Sequence, residues 1–182
     1  EPGQGPCGET VEVQQMQILD GIATIPIGGA IGQNLSPFER GGGAVDTNDI
    51  ADELAQAQAD PAVRNILLEF DSPGGMVTGT PELADKIAAS TKPVWAFTNS
   101  LMASAAYWIA SSAARIFATP SASIGSIGVY IPWIDQTKSF EMQGMKVDLI
   151  KAGRLKGAGF PGTPLTTDQR AHLQERVNQI YT

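Results

Sequence analysis

The chemistry this chain could perform centres on one serine. Ser104 lies inside Leu101-Met-Ala-Ser-Ala-Ala-Tyr-Trp-Ile-Ala-Ser111, a segment that reads as a helix opening close to that serine. A helix N-terminus carries unpaired N–H groups and a partial positive charge. A hydroxyl held there could attack a carbonyl, and the anion that forms would meet donors already in place. Serine also caps helices, and for the segment taken alone that is the plainer reading.

A serine nucleophile needs a base, a group to orient the base, and oxyanion donors. The only histidine, His172, is expected on the wetter side of a C-terminal helix, which disfavours a Ser–His–Asp site. Lysine is the alternative. Lys156 lies in the glycine-containing run Lys151-Ala-Gly-Arg-Leu-Lys156-Gly157, just past an expected strand end. A lysine acts as a base only when neutral. Bringing one from about 10.4 to about 7–8 disfavours the charged form by roughly 3–5 kcal/mol. Burial without a carboxylate partner does this, and no acid neighbours Lys156 in sequence. A hydroxyl such as that of Ser126 could hold the amine without recharging it. Read alone, Lys156 is a solvated loop lysine.

Gly74 and Gly75 allow backbone geometries closed to other residues. An N–H from Gly75 and the N–H of Ala105 could together bind an oxyanion, while Gly74 and Met76 would lie along the substrate path. By itself, Ser72-Pro-Gly-Gly75 reads as a turn.

The elements that must position these groups follow from patterning. Residues 1–10 form a Pro/Gly-rich tail, expected to be mobile, and residues 11–182 one domain. Val11 to Leu19 is an expected strand, Asp20-Gly21 a hairpin turn, and Ile22 to Ile27 the return strand. Pro26 marks that strand as an edge or as ending. Gly28 to Gly43 reads as a long loop. Thr47 to Ala59 is an amphipathic helix, with Ile50, Ala51 and Leu54 on one face.

Asn65 to Phe70 is a nearly continuous apolar strand, the pattern of one covered on both faces. Pro81 to Ser90 is the next helix, with Thr80 as N-cap. A strand at Val94, the Ser104 helix and a strand at Arg115 to Ala118 follow. Ser121 to Val129 is a glycine-punctuated turn entering another strand. Trp133 to Gln143 is helical, Lys146 to Ile150 a strand, and Lys151 to Leu165 a loop. Thr166 to Gln169 has capping-box spacing before a helix with Leu173, Val177 and Ile180 on one stripe.

Repeated strand–helix–strand units imply a mostly parallel α/β sheet with helices on both faces and its site at the C-terminal strand edge. Asp71 to Gly75 and Ser104 both fall at that edge.

Bulk composition narrows the function. A net charge of −7 with 12 Lys and Arg and no basic cluster disfavours nucleic acid. The lone cysteine, Cys7, leaves no internal disulfide and no cysteine-based metal site. No metal or cofactor is expected. The most apolar stretch, Leu101 to Ala118, is Ala/Ser-rich and broken by Arg115, so it reads as core rather than a bilayer span, and membrane association is not evident. The chain begins at Glu1 and stops within a helix, so it is expected to be a piece of a longer protein, with a soluble, cytoplasmic or anchored parent all left open.

Asp71-Ser-Pro-Gly-Gly75, Met102-Ala-Ser-Ala-Ala-Tyr-Trp-Ile109, Gly125-Ser-Ile-Gly-Val129 and Lys151-Ala-Gly-Arg-Leu-Lys156, in this order, resemble the signal peptide peptidase A (SppA) family. The resemblance covers the chain from about residue 45 to its end, and the preceding hairpin also fits. It implies a Clp/crotonase-like fold built from repeated β-β-α units and a Ser–Lys dyad. Ser104 would be the nucleophile, Lys156 the general base and Ser126 the group orienting the lysine, with Gly75 and Ala105 as oxyanion donors. It also implies a ring- or dome-like homo-oligomer with inward-facing sites.

Many members carry Ser-Gly-Gly where this chain has Ser104-Ala105-Ala106. Alanine keeps the N–H, so the change bears on pocket shape rather than activity. The Ala-Tyr-Trp variant, in a chain lacking the N-terminal span of anchored members, resembles the phage-encoded branch that processes scaffold protein. The expected function is a serine endopeptidase acting on extended, largely apolar polypeptide, either signal-peptide remnants or scaffold. A crotonase-type acyl-thioester enzyme and a non-catalytic assembly module are the alternatives on the same fold.

Overall fold

Asp20 and Gly21 both adopt positive φ, 50° and 82°. This is the primed turn geometry whose twist suits an antiparallel hairpin. It joins β1 (Gln17–Leu19) to β2 (Ile22–Gly32), which pair from Gln17↔Thr24 to Leu19↔Ile22. The computed structural model describes residues 15–182. The tail expected at residues 1–10, and the strand residues expected before 15, lie outside that range. The chain divides into two compact units, residues 15–127 of the described chain and Gly128–Thr182.

In the first unit β2 runs parallel to β4 (Asn65–Gly75), from Ile22↔Asn65 to Ile31↔Gly75. Both strands are longer than their apolar runs predict. The Asp71-Ser-Pro-Gly-Gly75 segment, expected to turn, stays extended against the glycines of β2. A Cβ on Gly75 would lie 2.0 Å from the Ile31 carbonyl oxygen, and one on Gly29 would lie 2.0 Å from that of Gly43. Here the glycines permit close backbone approach rather than chain reversal. β1 pairs only as far as Thr24, so Pro26 sits where β2 is an edge on that side among the described residues.

The expected loop from Gly28 to Gly43 therefore contains the end of β2 and a short helix, α1 (Pro37–Gly41). Ser36 and Glu39 form a reciprocal capping box, and the Ser36 hydroxyl and N–H hold the Glu39 carboxyl below the usual carboxylate range. β3 (Val45–Asp46) pairs with the end of β2 and leads into α2 (Thr47–Ala59). Asp46 is fully buried and accepts from the Leu35 N–H, the Asn48 N–H and the Arg40 guanidinium at 2.7–2.9 Å. It caps α2 and ties the α1 segment to the sheet.

α3 (Thr80–Ala88) follows β4. Its cap is Gly79, at φ 84°, rather than the expected Thr80. Thr80 is already helical, and its hydroxyl donates back to the Met76 carbonyl. β5 (Val94–Thr98) and β7 (Arg115–Ala118) complete the sheet order β1-β2-β4-β5-β7, parallel except for the hairpin. β6 (Leu101–Ala103) branches from β4 and pairs in parallel with β8 (Ser123–Gly125). α4 (Ala105–Ser111) follows β6. This is the mostly parallel α/β arrangement that the repeated strand–helix–strand units imply.

One core joins Ile25, Ile27, Ile66, Leu68 and Phe70 of the sheet to Ile50, Leu54, Leu83, Ile87 and Ile109 of the helices. Burying each such side chain contributes about 1.5–3 kcal/mol. The described residues of this unit leave the other sheet face partly open: Leu67 and Trp95 are half-buried and Glu69 is exposed. Two-faced covering was the expectation. The apolar Leu67 neighbours partly exposed Trp95 instead of a second helical layer.

The second unit contains α5 (Thr137–Met142), shorter than expected, and α6 (Thr167–Tyr181) with the expected Thr166–Gln169 capping box. Leu173, Val177 and Ile180 are half-buried along α6. Lys146 to Ile150, expected as a strand, is irregular, with Ile150 fully exposed and no strand beside it among the described residues. The segment after Gly125, expected to enter a strand, is likewise irregular.

Candidate active site

The chain leaves β5 at Thr98, bends at Asn99-Ser100, forms the three residues of β6, and turns into α4 within one residue, Ser104. The Ser100 hydroxyl donates to the Asp71 carboxylate at 2.8 Å and its N–H donates to the Thr98 hydroxyl at 3.1 Å. Asp71 thus secures the bend at Asn99-Ser100, not a turn of its own segment, which is extended.

Ser104 has φ 54° and ψ −122°, a region that residues with side chains rarely occupy. Such strain persists only where the surroundings over-determine it, and it concentrates at functional positions. Here the Ser104 N–H donates to the Gly125 carbonyl at 2.8 Å, and its own carbonyl accepts from Trp108 at 3.0 Å. Its side chain makes no capping hydrogen bond. The plainer reading of Ser104 as a helix cap therefore fails, and the half-buried hydroxyl is left for other work.

Gly74, at φ 92°, lies directly against this turn. A Cβ on it would stand 2.6 Å from the Ala103 carbonyl oxygen, 2.6 Å from the Ser104 Cβ and 2.8 Å from the Ala105 nitrogen. The Met76 N–H donates to the Ile31 carbonyl at 2.9 Å, toward β2. Gly75 itself is exposed and stands so close to β2 that an added Cβ would lie 2.0 Å from the Ile31 carbonyl oxygen. Ala105 and Ala106 are buried, so only small residues fit where α4 starts against the sheet. Met76, just beyond, is exposed.

A second serine has a role that sequence reasoning missed. Ser72 is fully buried; its hydroxyl donates to the Gly29 carbonyl at 2.6 Å and accepts from the Gly74 N–H at 3.1 Å. Engaged on both sides, it is no rival nucleophile. A lone serine in a Ser-Pro-Gly-Gly run carries no signal of this, because its partner, Gly29, lies 43 positions away.

Ser126 directly follows Gly125, the residue that holds the Ser104 N–H; it is exposed and at φ 53°. The first unit thus brings together Gly74, Ser104 and Ala105, with Ser126 next along the chain from the Ser104 partner. Lys156 belongs to the second unit, exposed in a turn where its N–H donates to the Gly153 carbonyl at 3.2 Å. His172 is exposed on α6. Among the described residues no group of three His, Cys, Asp or Glu could hold a metal ion, and no helix is long and apolar enough to cross a membrane.

The chain has relatives among known proteins. Residues 86–182 match the model of peptidase family S49. The capsid assembly protease C of Escherichia phage lambda is 37% identical over 92% of this chain and 38% of that protein. The head-tail preconnector protein GP5 of Enterobacteria phage P21 is 34% identical over 89% of this chain and 33% of that one. The chloroplastic serine protease SPPA of Arabidopsis thaliana is 28% identical over 89% and 24% respectively. The chain spans less than two fifths of the length of each of these relatives. The family match takes in both the strained serine and the glycine-flanked lysine segment, and the chain belongs to peptidase family S49, a family of serine peptidases.

Proposed function

We propose that the chain is a serine endopeptidase in which Ser104 and Lys156 act as a dyad, with residues 11–182 working as one peptidase domain. The observation that carries the reading is the Ser104 turn: a hydroxyl free of capping, on a strained backbone, beside Gly74 and the Ala105 N–H. Neutral Lys156 takes the hydroxyl proton as the Ser104 oxygen adds to the scissile carbonyl. The Gly75 and Ala105 N–H groups stabilise the resulting oxyanion. The ammonium then gives its proton to the departing amine, leaving an acyl-serine. Water, deprotonated by the same lysine, attacks that ester, which releases the acid and restores Ser104. Ser126 orients the amine.

Substrate binds as an extended segment along Gly74 and Met76, adding to a strand edge. The name of the lambda relative, a capsid assembly protease, favours a polypeptide of capsid assembly as substrate, and the scaffold protein implied by the motif resemblance would be one. Tyr130, Ile134, Met142 and Ile150 of the second unit are largely exposed. The homo-oligomer proposed here would cover such side chains if they adjoin. Carboxylate acid/base chemistry on acyl thioesters has less support, because Asp71 is engaged by Ser100.

The test compares wild type with Ser104→Ala and Lys156→Ala on a quenched peptide library, together with fluorophosphonate labelling. Both variants should lose cleavage by at least about 10³-fold, and labelling should vanish in Ser104→Ala. Undiminished cleavage by Ser104→Ala would end the proposal, and undiminished cleavage by Lys156→Ala would remove the dyad from it.

A further inference from the structure

The β2–β4 ladder slips in register between Gly28 and Ala30, opposite Asp71 to Gly74. Gly29 at φ 67° and Gly74 at φ 92° lie on the two sides of this slip. Gly29 has no partner in the ladder there. Buried backbone groups need partners, and the Ser72 hydroxyl supplies one to each strand. Its hydrogen goes to the Gly29 carbonyl at 2.6 Å, and its oxygen receives the Gly74 N–H at 3.1 Å. The hydroxyl has no freedom left to rotate.

This bridge has a consequence for the site. It holds the Gly74 peptide with its N–H turned inward, away from any substrate. Gly74 is then fixed at its positive φ, with its Cα against Ser104 and Ala105. The next residue, Gly75, follows directly from this contact and is exposed. We propose that Ser72 is a positioning residue, whose buried hydroxyl locks the bulge between β2 and β4 and so aims the Gly75 N–H as an oxyanion donor. The inference rests on the peptidase reading above.

Ser72 touches no reacting atom, so its loss should weaken oxyanion stabilisation and leave ground-state binding alone. The full chain is assayed on a cleaved peptide, with binding of a matched peptide aldehyde and peptide alcohol. The aldehyde forms a hemiacetal oxyanion with Ser104, whereas the alcohol cannot. Ser72→Ala should lower kcat by about 10- to 100-fold with KM within about twofold. Aldehyde affinity should fall in the same proportion and alcohol affinity should hold. Ser72→Cys fills the same space with a weak donor, so it should keep the fold and show the same pattern if the alanine variant does not fold.

An active wild type with kcat and aldehyde affinity unchanged in the folded variants overturns this proposal alone. Equal loss of aldehyde and alcohol affinity also overturns it, since that marks general damage to the cleft. A wild type that neither cleaves nor binds aldehyde overturns the peptidase reading, and this proposal with it.

Discussion

Gly74 and Ser104 meet so closely that a Cβ on the glycine would stand 2.6 Å from the Cβ of the serine. Two segments separated by about thirty residues are thus packed backbone to side chain at the point where the chemistry is proposed. The contact is possible only because position 74 lacks a side chain and takes φ 92°.

Gly74→Ala should therefore disable the site. The added methyl would also press on the Ala103 carbonyl and the Ala105 nitrogen, displacing both the nucleophile and a donor. The expected loss of kcat is at least about 10²-fold, with a stability cost of about 1–3 kcal/mol from the backbone strain. Peptide hydrolysis alongside a thermal melt measures both, and near-normal turnover would contradict the packing described.

The strain at Ser104 predicts opposite effects on stability and activity. Ser104→Gly relieves a backbone conformation that glycine adopts freely, and Ser104→Ala does not. Both variants should be inactive. The glycine variant should melt about 2–4 °C above the alanine variant, equivalent to about 1 kcal/mol. Calorimetry of the pair decides, and a glycine variant no more stable than the alanine one would mean the turn carries no strain.

A pH dependence follows from Glu53 on α2. Burial pushes its carboxyl above the usual carboxylate value, and the Met16 N–H, donating at 3.3 Å, only partly opposes this. A value raised in the folded state favours folding below the unfolded value and loses that benefit as pH rises through the folded one. Glu53→Gln keeps the acceptor and removes the charge. Its melting temperature should match wild type near pH 4 and exceed it by up to about 2 °C at pH 7, the group being partly solvated. Melting curves across that range test the sign, and a variant less stable at pH 7 would reverse it.

Much of the framework was legible in the order of residues. Periodicity placed α2 at its observed bounds and β7 likewise, and Asp20-Gly21 announced the hairpin. The four motif segments pointed to the family without any coordinates. What misled was glycine. Between Gly28 and Gly43, and again at Asp71 to Gly75, glycine-rich sequence read as loop and turn, yet most of those residues are extended or helical. Local pattern cannot distinguish a glycine that frees the chain from one that lets two strands touch, because the neighbour is absent from the local window. The Lys146 to Ile150 run failed in the opposite sense: apolar residues at strand spacing form no strand without a partner edge.

By itself, the sequence determined which residues could do chemistry and the kind of chemistry, because residue type sets what a hydroxyl, an amine or a missing side chain can do. Only the tertiary structure decided that Ser104 is strained and uncapped, that Gly74 abuts it, and that Ser72 is bound from both sides. Those are relations between strands brought together by burial of a shared core, and nothing in a linear order of residues specifies the distance between them.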